Sequence, residues 1–228
     1  MIKHAKPLAR SARGFTLIEL MVALVLGLLM IGAVTIVFIS NQQTARTKQE
    51  MDRAQEAFRF ASHTIMRVVQ QGEIEEPPPN QPNSPVVLLV VRIDPEPERR
   101  DCLGAEISRT GFDVDSAVIN FFIVNNELRC RVVRVPELGG TSPPDVEATL
   151  VSGLDPARTE FRFGVGNQSA GFWSDNARWV LPNDQTLVGN WHNVRSVRVR
   201  LAMHAEGAAI GPMAVFSATM RCGGLDNC

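Results

Sequence analysis

The sequence lacks several features that would assign it to a common class of protein. Its net charge is only −1, so it has no overall basic field of the kind that draws proteins to nucleic acid. It has only one long apolar run, which excludes a protein with several membrane spans. Apolar residues make up 45% of the chain and charged residues 21%, which excludes disorder throughout. The 228 residues fit one medium domain, or a small domain joined to an elongated element.

Motifs of common enzyme and metal sites are also absent. The sequence contains no P-loop, no G-x-S-x-G elbow and no H-E-x-x-H helix. The cysteines form no C-x-x-C pair and the four histidines are scattered, so no zinc site is indicated. Asp113 and Asp115 would suit a calcium loop, but the spacing of an EF-hand is missing. We therefore expect no catalytic residue, no metal and no cofactor.

The one long apolar run lies near the N-terminus. Residues 20–39 carry no charge, and twenty helical residues span about 30 Å, the hydrocarbon thickness of a bilayer. Residues 1–14 hold four basic side chains and no acid, which predicts that they stay in the cytoplasm while the rest of the chain lies outside it. A cleaved secretory signal would have a shorter apolar region that ends at small residues. We therefore expect a retained, single membrane span.

A carboxylate, Glu19, lies at the start of this apolar segment. Such a charge costs about 2.5–3.5 kcal/mol at the centre of a bilayer and less near its surface. Glu19 is therefore either a polar residue tolerated near the interface or a functional residue with a specific partner.

Residues 13–19, Arg-Gly-Phe-Thr-Leu-Ile-Glu, resemble the class III signal of type IV pilins and type II secretion pseudopilins. The resemblance implies that a prepilin peptidase cuts between Gly14 and Phe15, and that Phe15 is then N-methylated. Removal of 14 of the 228 residues leaves 214. Glu19 matches the glutamate at the fifth mature position of that family. Its carboxylate would pair with the α-amino group of Phe15 in a neighbouring subunit, where a low dielectric strengthens the pair.

A helical period continues beyond the apolar run. Gly72 suits the position after a helix C-terminus, and the three prolines at 77–79 forbid continuation, so we predict one helix over residues 15–71. Positions spaced alternately by three and four form a stripe on one face of its second half. This stripe is expected to pack on the globular head, and it consists of Thr44, Thr47, Met51, Ala54, Phe58, Ala61, Ile65 and Val68.

The remaining residues predict a β-rich head. Residues 73–85 form an acidic, proline-rich connector without a helical or strand period. Asn125 and Asn126 suit a two-residue hairpin turn, because asparagine tolerates positive φ. Strands are predicted at residues 86–93, 118–124, 127–135, 158–165, 196–203 and 213–221.

The predicted fold class is α+β, a type IV pilin-like fold in which one long N-terminal helix packs on a mostly antiparallel β-sheet head. Four segments are expected. They are a cleaved cytoplasmic leader at 1–14, the transmembrane half of the helix at 15–39, its amphipathic half at 40–71 and an extracytoplasmic head at 72–228.

All four cysteines, Cys102, Cys130, Cys222 and Cys228, follow the predicted span and so lie where disulfides persist. Four cysteines allow three pairings. We favour Cys102–Cys130 and Cys222–Cys228, because the two glycines after Cys222 give the short loop the flexibility to close. Free thiols are the alternative.

Six arginines on or next to two predicted strands would suit DNA if they formed one strip. They are Arg129, Arg131, Arg134, Arg195, Arg198 and Arg200. Exposed arginines on strands more commonly serve solubility and edge protection, and residues 15–228 are net acidic. DNA is therefore not an expected partner.

Residues 53–61, 101–104, 126–130 and 191–199 resemble PilW-type minor pilins. The resemblance implies a scarce structural subunit, not an enzyme, that helps to initiate type IV pilus assembly and sits near the pilus tip. Its partners would be the prepilin peptidase, other minor pilins and the major pilin through the N-terminal helix, and an adhesin at the tip. It would reside in the bacterial inner membrane before it enters the extracellular fibre. A J-type pseudopilin of type II secretion, or a tip module that binds DNA, a surface or an adhesin, remain the alternatives.

Overall fold

The computed structural model describes residues 16–78, 86–96, 98–107, 114–136, 144–165, 178–182, 184–204 and 211–220. They fall into two compact units, one up to Glu50 and one from Met51 onwards. One helix, α1, and nine strands, β1 to β9, are present in this part of the chain. Their bounds are α1 Leu17–Gln71, β1 Glu73–Glu75, β2 Val86–Ile93, β3 Val114–Val124, β4 Glu127–Pro136, β5 Val146–Val151, β6 Glu160–Val165, β7 Arg178–Val180, β8 Val194–Ala202 and β9 Met213–Thr219.

Helix α1 ends at Gln71, as predicted, but Gly72 follows it for a different reason than expected. Gly72 does not have a positive φ, so it is not a left-handed cap. Instead, a Cβ at this position would collide with the carbonyl oxygen of Arg92 and would lie 2.7 Å from a methyl group of Val91. Glycine is required because the chain passes directly against β2 at this point.

The predicted stripe on the helix is buried only in part. Ala54, Phe58, Ala61, Ile65 and Val68 are buried, and Thr64 and Val69 join them. The prediction was wrong for the first three stripe positions: Thr44 and Thr47 are exposed, and Met51 is 49% exposed. The hydroxyl groups of the two threonines donate to Ser40 and Gln43, one helical turn earlier. Periodicity alone does not reveal where the packing partner of a helix ends.

The strands form two antiparallel sheets. The first sheet has the order β1-β2-β3-β4-β5, and the second has the order β7-β6-β8-β9. Strands β3 and β4 form the predicted hairpin, in which Asn125 and Asn126 have φ values of 50° and 62°. Two positive φ values are the signature of a type I′ turn, whose twist matches that of the flanking strands.

One apolar core lies in the second unit and includes residues from α1 and from both sheets. Strand β8 shows how the sequence period produces it: Val197, Val199 and Leu201 are fully buried, whereas Arg198 and Arg200 between them are exposed. Phe163 and Trp191 meet edge to face, with ring centroids 4.9 Å apart.

Three strands were not predicted from the sequence. The expectation that residues 73–85 contain no strand was wrong at its first residues, because β1 pairs with β2 through Glu73, Ile74 and Glu75. Strands β5 and β7 were missed as well. The predicted α+β class is confirmed: a long N-terminal helix is followed by antiparallel sheets, which is consistent with a type IV pilin-like fold.

Candidate functional site

The first turn of α1 carries the candidate assembly residue Glu19. Thr16 precedes the helix, and its carbonyl oxygen accepts hydrogen bonds from the backbone N–H groups of Glu19 at 3.1 Å and Leu20 at 3.3 Å. The hydroxyl oxygen of Thr16 also accepts from the Glu19 N–H, at 3.4 Å. Thr16 therefore acts as the N-cap, with Glu19 at the third helical position.

The Glu19 carboxylate itself has neither a hydrogen bond nor an ion pair with any residue that the structure describes. Its position near the positive end of the helix dipole stabilises a negative charge by about 0.3–1 kcal/mol. The neighbouring apolar side chains supply no compensating group. This carboxylate is therefore available to a partner outside its own helix. Gly14 and Phe15, the predicted cleavage and methylation residues, lie outside the described residues.

The first part of α1 has the composition of a membrane span. Among the described residues, one helix is long and apolar enough to cross a bilayer, and its most apolar 18-residue window has a mean hydropathy of 2.9. None of that window is buried within the chain. Its leucine, isoleucine, valine and methionine side chains are exposed over residues 17–39. Such a surface needs either lipid or other helices to cover it.

In the second unit, a disulfide joins Cys102 to Cys130, one of the two pairings that the sequence favoured. It ties the segment after β2 to the centre of β4, and both cysteines are buried. The Cα atoms lie 6.6 Å apart, within the usual range for a disulfide. Cys222 and Cys228 lie outside the described residues.

Asp101, next to this disulfide, organises the surrounding loop. It is fully buried, and one of its carboxylate oxygens accepts from the backbone N–H groups of Leu103 and Ala105, both at 2.9 Å. The other oxygen lies 3.5 Å from the guanidinium of Arg134. The carbonyl of Asp101 accepts from Arg67 on α1. This carboxylate is a structural residue, because its hydrogen-bonding capacity is used within the fold.

The arginines of β4 are paired with acids and do not form a free basic strip. Arg131 lies 2.5 Å from Glu147 on β5 and stacks over Phe122, and Arg129 lies 3.3 Å from the same carboxylate. Arg195, Arg198 and Arg200 belong to β8 in the other sheet. The six arginines considered for DNA are thus divided between two sheets, and those of β4 are neutralised.

A further ion pair joins β1 to β2. Arg92 donates to the carboxylate of Glu75, and this hydrogen bond raises the pKa of Arg92 above its ordinary value. Burial acts in the opposite direction but is the smaller effect. Arg92 also donates to the hydroxyl of Ser116 on β3, at 3.0 Å. These contacts hold the short strand β1 against the sheet.

A surface cavity of about 450 Å³ lies between the start of β2 and two short 3₁₀ turns, Gln185–Leu187 and Trp191–Asn193. Its walls are mainly apolar, with Glu76 and Asp184 as its acids. His63, His192 and His204 are exposed and lie outside it. In the described part of the chain, no three metal-ligating side chains come together. Asp115 lies on β3, and Asp113 falls outside that part.

Sequence reasoning missed two structural residues, Thr16 and Asp101. Thr16 and Glu19 have the spacing of a capping box, Thr-x-x-Glu, so this helix start was recognisable from the sequence. Asp101 has no such signal, because its partners come from a loop, from α1 and from β4, which are far apart along the chain.

Comparison with known proteins bears on the N-terminus alone. Residues 9–35 match a protein family described as the prokaryotic N-terminal methylation motif. The matched stretch includes Gly14, Phe15, Glu19 and most of the apolar run. No curated protein and no solved structure matches the chain. The motif and the apolar helix together support a type IV pilin-like protein, a pilin or a pseudopilin, and they fit a single-pass inner-membrane protein that enters pili.

Proposed function

We propose that this type IV pilin-like chain is a minor pilin of the PilW type, a structural subunit that helps to start pilus assembly and sits near the pilus tip. The methylation motif supports the general class, and the suggested role is non-enzymatic. In this proposal residues 1–14 are a cytoplasmic leader that prepilin peptidase removes after Gly14. Residues 15–39 span the inner membrane, residues 40–71 continue the helix, and residues 72–228 are periplasmic before assembly.

The observation that carries the proposal is the carboxylate of Glu19. It stands in the first turn of an apolar helix and has no partner among the described residues of its own chain. In a plain membrane anchor such a charge would contribute only the small stabilisation of the helix start, about 0.3–1 kcal/mol. Cleavage after Gly14 creates a new α-amino group at Phe15, four residues before Glu19 in the sequence. In a bundle of neighbouring helices, the amine of one subunit then neutralises the carboxylate of the next.

This pairing also gives Glu19 a function that a membrane anchor would lack. Apolar contacts between helices have no strict axial register, because neighbouring leucine and valine side chains are interchangeable. A single pair of opposite charges in a low dielectric has one favourable position. We infer that the Glu19–Phe15 pair fixes how far each subunit is advanced along the fibre axis.

Substitution of Glu19 tests the proposal. Glu19→Ala should leave the protein cleaved, inserted and stable, but should reduce its incorporation into fibres by orders of magnitude. Loss of one partner of a buried pair costs about 3–5 kcal/mol. Glu19→Gln keeps the shape of the side chain and loses the charge, so its defect should be similar or partial. Processing is measured by the mass of the membrane-bound protein, and incorporation by immunoblotting of sheared fibres from the same cells.

Thr16→Ala is the matched control, because it removes the cap of the same helix and keeps the carboxylate. Loss of the cap costs about 1 kcal/mol of helix stability. If Glu19 served only to stabilise the helix start, both variants would show the same small effect. Normal incorporation of Glu19→Ala together with normal fibre number would overturn the pairing.

A further inference from the structure

The second sheet bears a row of arginines on the face opposite its core. Arg198 and Arg200 of β8 are exposed, whereas the alternate residues of that strand are buried. Arg162 of β6 lies directly across from Arg198, and Glu160 lies across from Arg200. Cross-strand partners point to the same side of a sheet, so these four side chains share one face. We call Arg162, Arg198 and Arg200, with Trp179 beside them, the arginine face.

Among the residues that the structure describes, the charges on this face are not balanced. Glu160 is 2.8 Å from Arg162 and 3.5 Å from Arg200, so one carboxylate serves two guanidinium groups. Arg198 has no carboxylate partner among the described residues. Arg162 and Arg198 are like charges directly opposite each other, an arrangement that destabilises a sheet. Each guanidinium retains several N–H donors beyond those that Glu160 accepts.

The position of Arg198 is set by two further residues. Its guanidinium carbon lies 4.5 Å from the centre of the Trp179 ring. Trp179 is the cross-strand partner of Gly164, and a Cβ on Gly164 would lie 3.3 Å from the Trp179 ring. The ring thus lies against the glycine backbone and reaches towards Arg198. This contact holds the guanidinium in place without neutralising its charge.

An equivalent arginine in the first sheet has a different electrostatic environment. Arg131 of β4 also stacks on an aromatic ring, that of Phe122, at 5.1 Å. Its charge, however, is balanced: Arg131 and Arg129 both contact Glu147, and Arg129 also lies 4.0 Å from a second carboxylate, that of Glu127. Arginine–glutamate ion pairs of this kind, which β4 has, are sufficient for solubility and for protection of a sheet edge. The second sheet keeps an excess of positive charge among the described residues, and such a violation of local stability rules is expected where a surface has a function.

We propose that the arginine face binds carboxylates on the head of a neighbouring pilin-like subunit, an inference that rests on the proposed assembly function. A guanidinium matches a carboxylate in a two-pronged geometry. Two exposed apolar side chains of β9 continue the same face: Val215 is the cross-strand partner of Arg200, and Met213 is two residues away. Tryptophan, arginine and methionine are enriched at protein–protein interfaces, so the composition of this face is typical of one.

The charge of the head favours a protein partner over a long polyanion. Residues 72–228 contain 14 arginines and 20 acidic residues, a net charge of −6. A nucleic acid backbone extends well beyond a small basic face, and the net negative charge of the head opposes its binding. A few carboxylates on a folded partner fit the arginine face without that penalty.

The test compares two arginines that both stack on aromatic rings. Arg198→Glu and Arg198→Gln change the arginine face, and Arg131→Gln removes the same charge from the first sheet. Each full-length variant replaces the wild-type protein in cells. We expect incorporation into sheared fibres to fall at least tenfold for Arg198→Glu and less for Arg198→Gln. Arg131→Gln should stay within twofold of wild type. Protein abundance and an intact Cys102–Cys130 disulfide show that each variant has folded.

A photo-cross-linking residue at Ser217, which lies opposite Arg198 and is exposed, identifies the partner. The same residue at Thr149, exposed on β5, is the control. We expect an adduct from Ser217 alone with a protein that carries a class III signal. Replacement of an acidic residue by arginine at the cross-linked site of that protein should restore incorporation of Arg198→Glu. An adduct with nucleic acid, lipid or an unrelated protein would overturn the proposal.

Failure of this proposal is separable from failure of the assembly function. If Glu19→Ala abolishes incorporation while Arg198→Glu incorporates like wild type, the chain is a fibre subunit and the arginine face is not its docking surface. If the wild-type protein is absent from sheared fibres and its deletion leaves fibre number unchanged, the assembly function is wrong, and this proposal falls with it.

Discussion

Asp101 is fully buried and has partners for both carboxylate oxygens, whereas Glu19 is exposed at the start of an apolar helix and has none among the described residues. Burial of Asp101 is tolerated because backbone N–H groups and Arg134 replace its lost water. Glu19 has no such replacement among the described residues, and in the proposed function its partner belongs to another subunit. At the scale of residues, a carboxylate without a partner among the described residues, such as that of Glu19, is a better candidate for function than a buried carboxylate with partners, such as that of Asp101.

Gly164 offers a test of packing beside the arginine face. A Cβ at this position would collide with the hydroxyl oxygen of Ser196 on β8. Gly164→Ala should therefore lower the free energy of unfolding by about 1–3 kcal/mol, the usual cost of overpacking. Adding Ser196→Ala opens the space and should recover part of that loss. The measurement is denaturant-induced unfolding of the full-length protein in detergent, followed by tryptophan fluorescence.

Ser196→Ala alone is the reference for that pair of substitutions. Two outcomes would contradict this explanation of Gly164. Gly164→Ala could unfold at the wild-type denaturant concentration, or the added Ser196→Ala could recover no stability. In either case, the close approach of β6 and β8 would not be the reason for glycine at position 164.

At the scale of elements, strong local signals predicted the structure well. Strand β2 lies at the predicted bounds, because a continuous apolar run leaves little choice but a central strand. The hairpin at Asn125 and Asn126 follows from two residues that tolerate positive φ between alternating sequences. Helix α1 ends at the predicted Gln71.

Elements whose stability comes from neighbours were not predictable. Strand β1 has three residues and a connector-like composition, and its pairing with β2 and the contact between Glu75 and Arg92 define it. The arginine face joins Trp179 on β7 to Arg162 on β6 and Arg198 on β8. The order β7-β6-β8 is not the order of the chain, so no local pattern could bring these residues together.

The two sheets should show interaction energies of opposite sign. A double-mutant cycle with Arg131→Gln and Glu147→Gln on the first sheet should give a favourable coupling of about 0.2–1 kcal/mol. The same cycle with Arg162→Gln and Arg198→Gln on the second sheet should give an unfavourable coupling of similar size, because like charges face each other. Both couplings are obtained from denaturant unfolding, and both should shrink in 1 M salt, where the screening length is about 3 Å. A favourable coupling between Arg162 and Arg198 would contradict the imbalance that underlies the arginine face.

At the scale of the whole molecule, one apolar helix and one disulfide depend on the same topology. The apolar part of α1 fits a membrane span, and the Cys102–Cys130 disulfide persists only on the oxidising side of that membrane. By the positive-inside rule, we expect the basic residues that precede the span to decide which side of the membrane the head reaches. The redox state of Cys102 and Cys130 therefore reports the orientation of the entire chain.

This link predicts the effect of reversing the leader charges. In a chain with Cys222→Ser and Cys228→Ser, replacement of Lys3, Lys6 and Arg10 by Glu should leave part of the protein with its head in the cytoplasm, because the positive-inside signal is lost. That fraction should carry two free thiols, which a polymer-linked maleimide reveals as a shift on a gel. The matched control exchanges the same residues for the other basic type, Lys3→Arg, Lys6→Arg and Arg10→Lys, and should keep the disulfide complete. Arg13 is left unchanged, so that the motif at the proposed cleavage site stays intact. A complete disulfide in the acidic variant would show that the leader charges do not orient the chain, and free thiols in the control would show that the head does not reach an oxidising compartment.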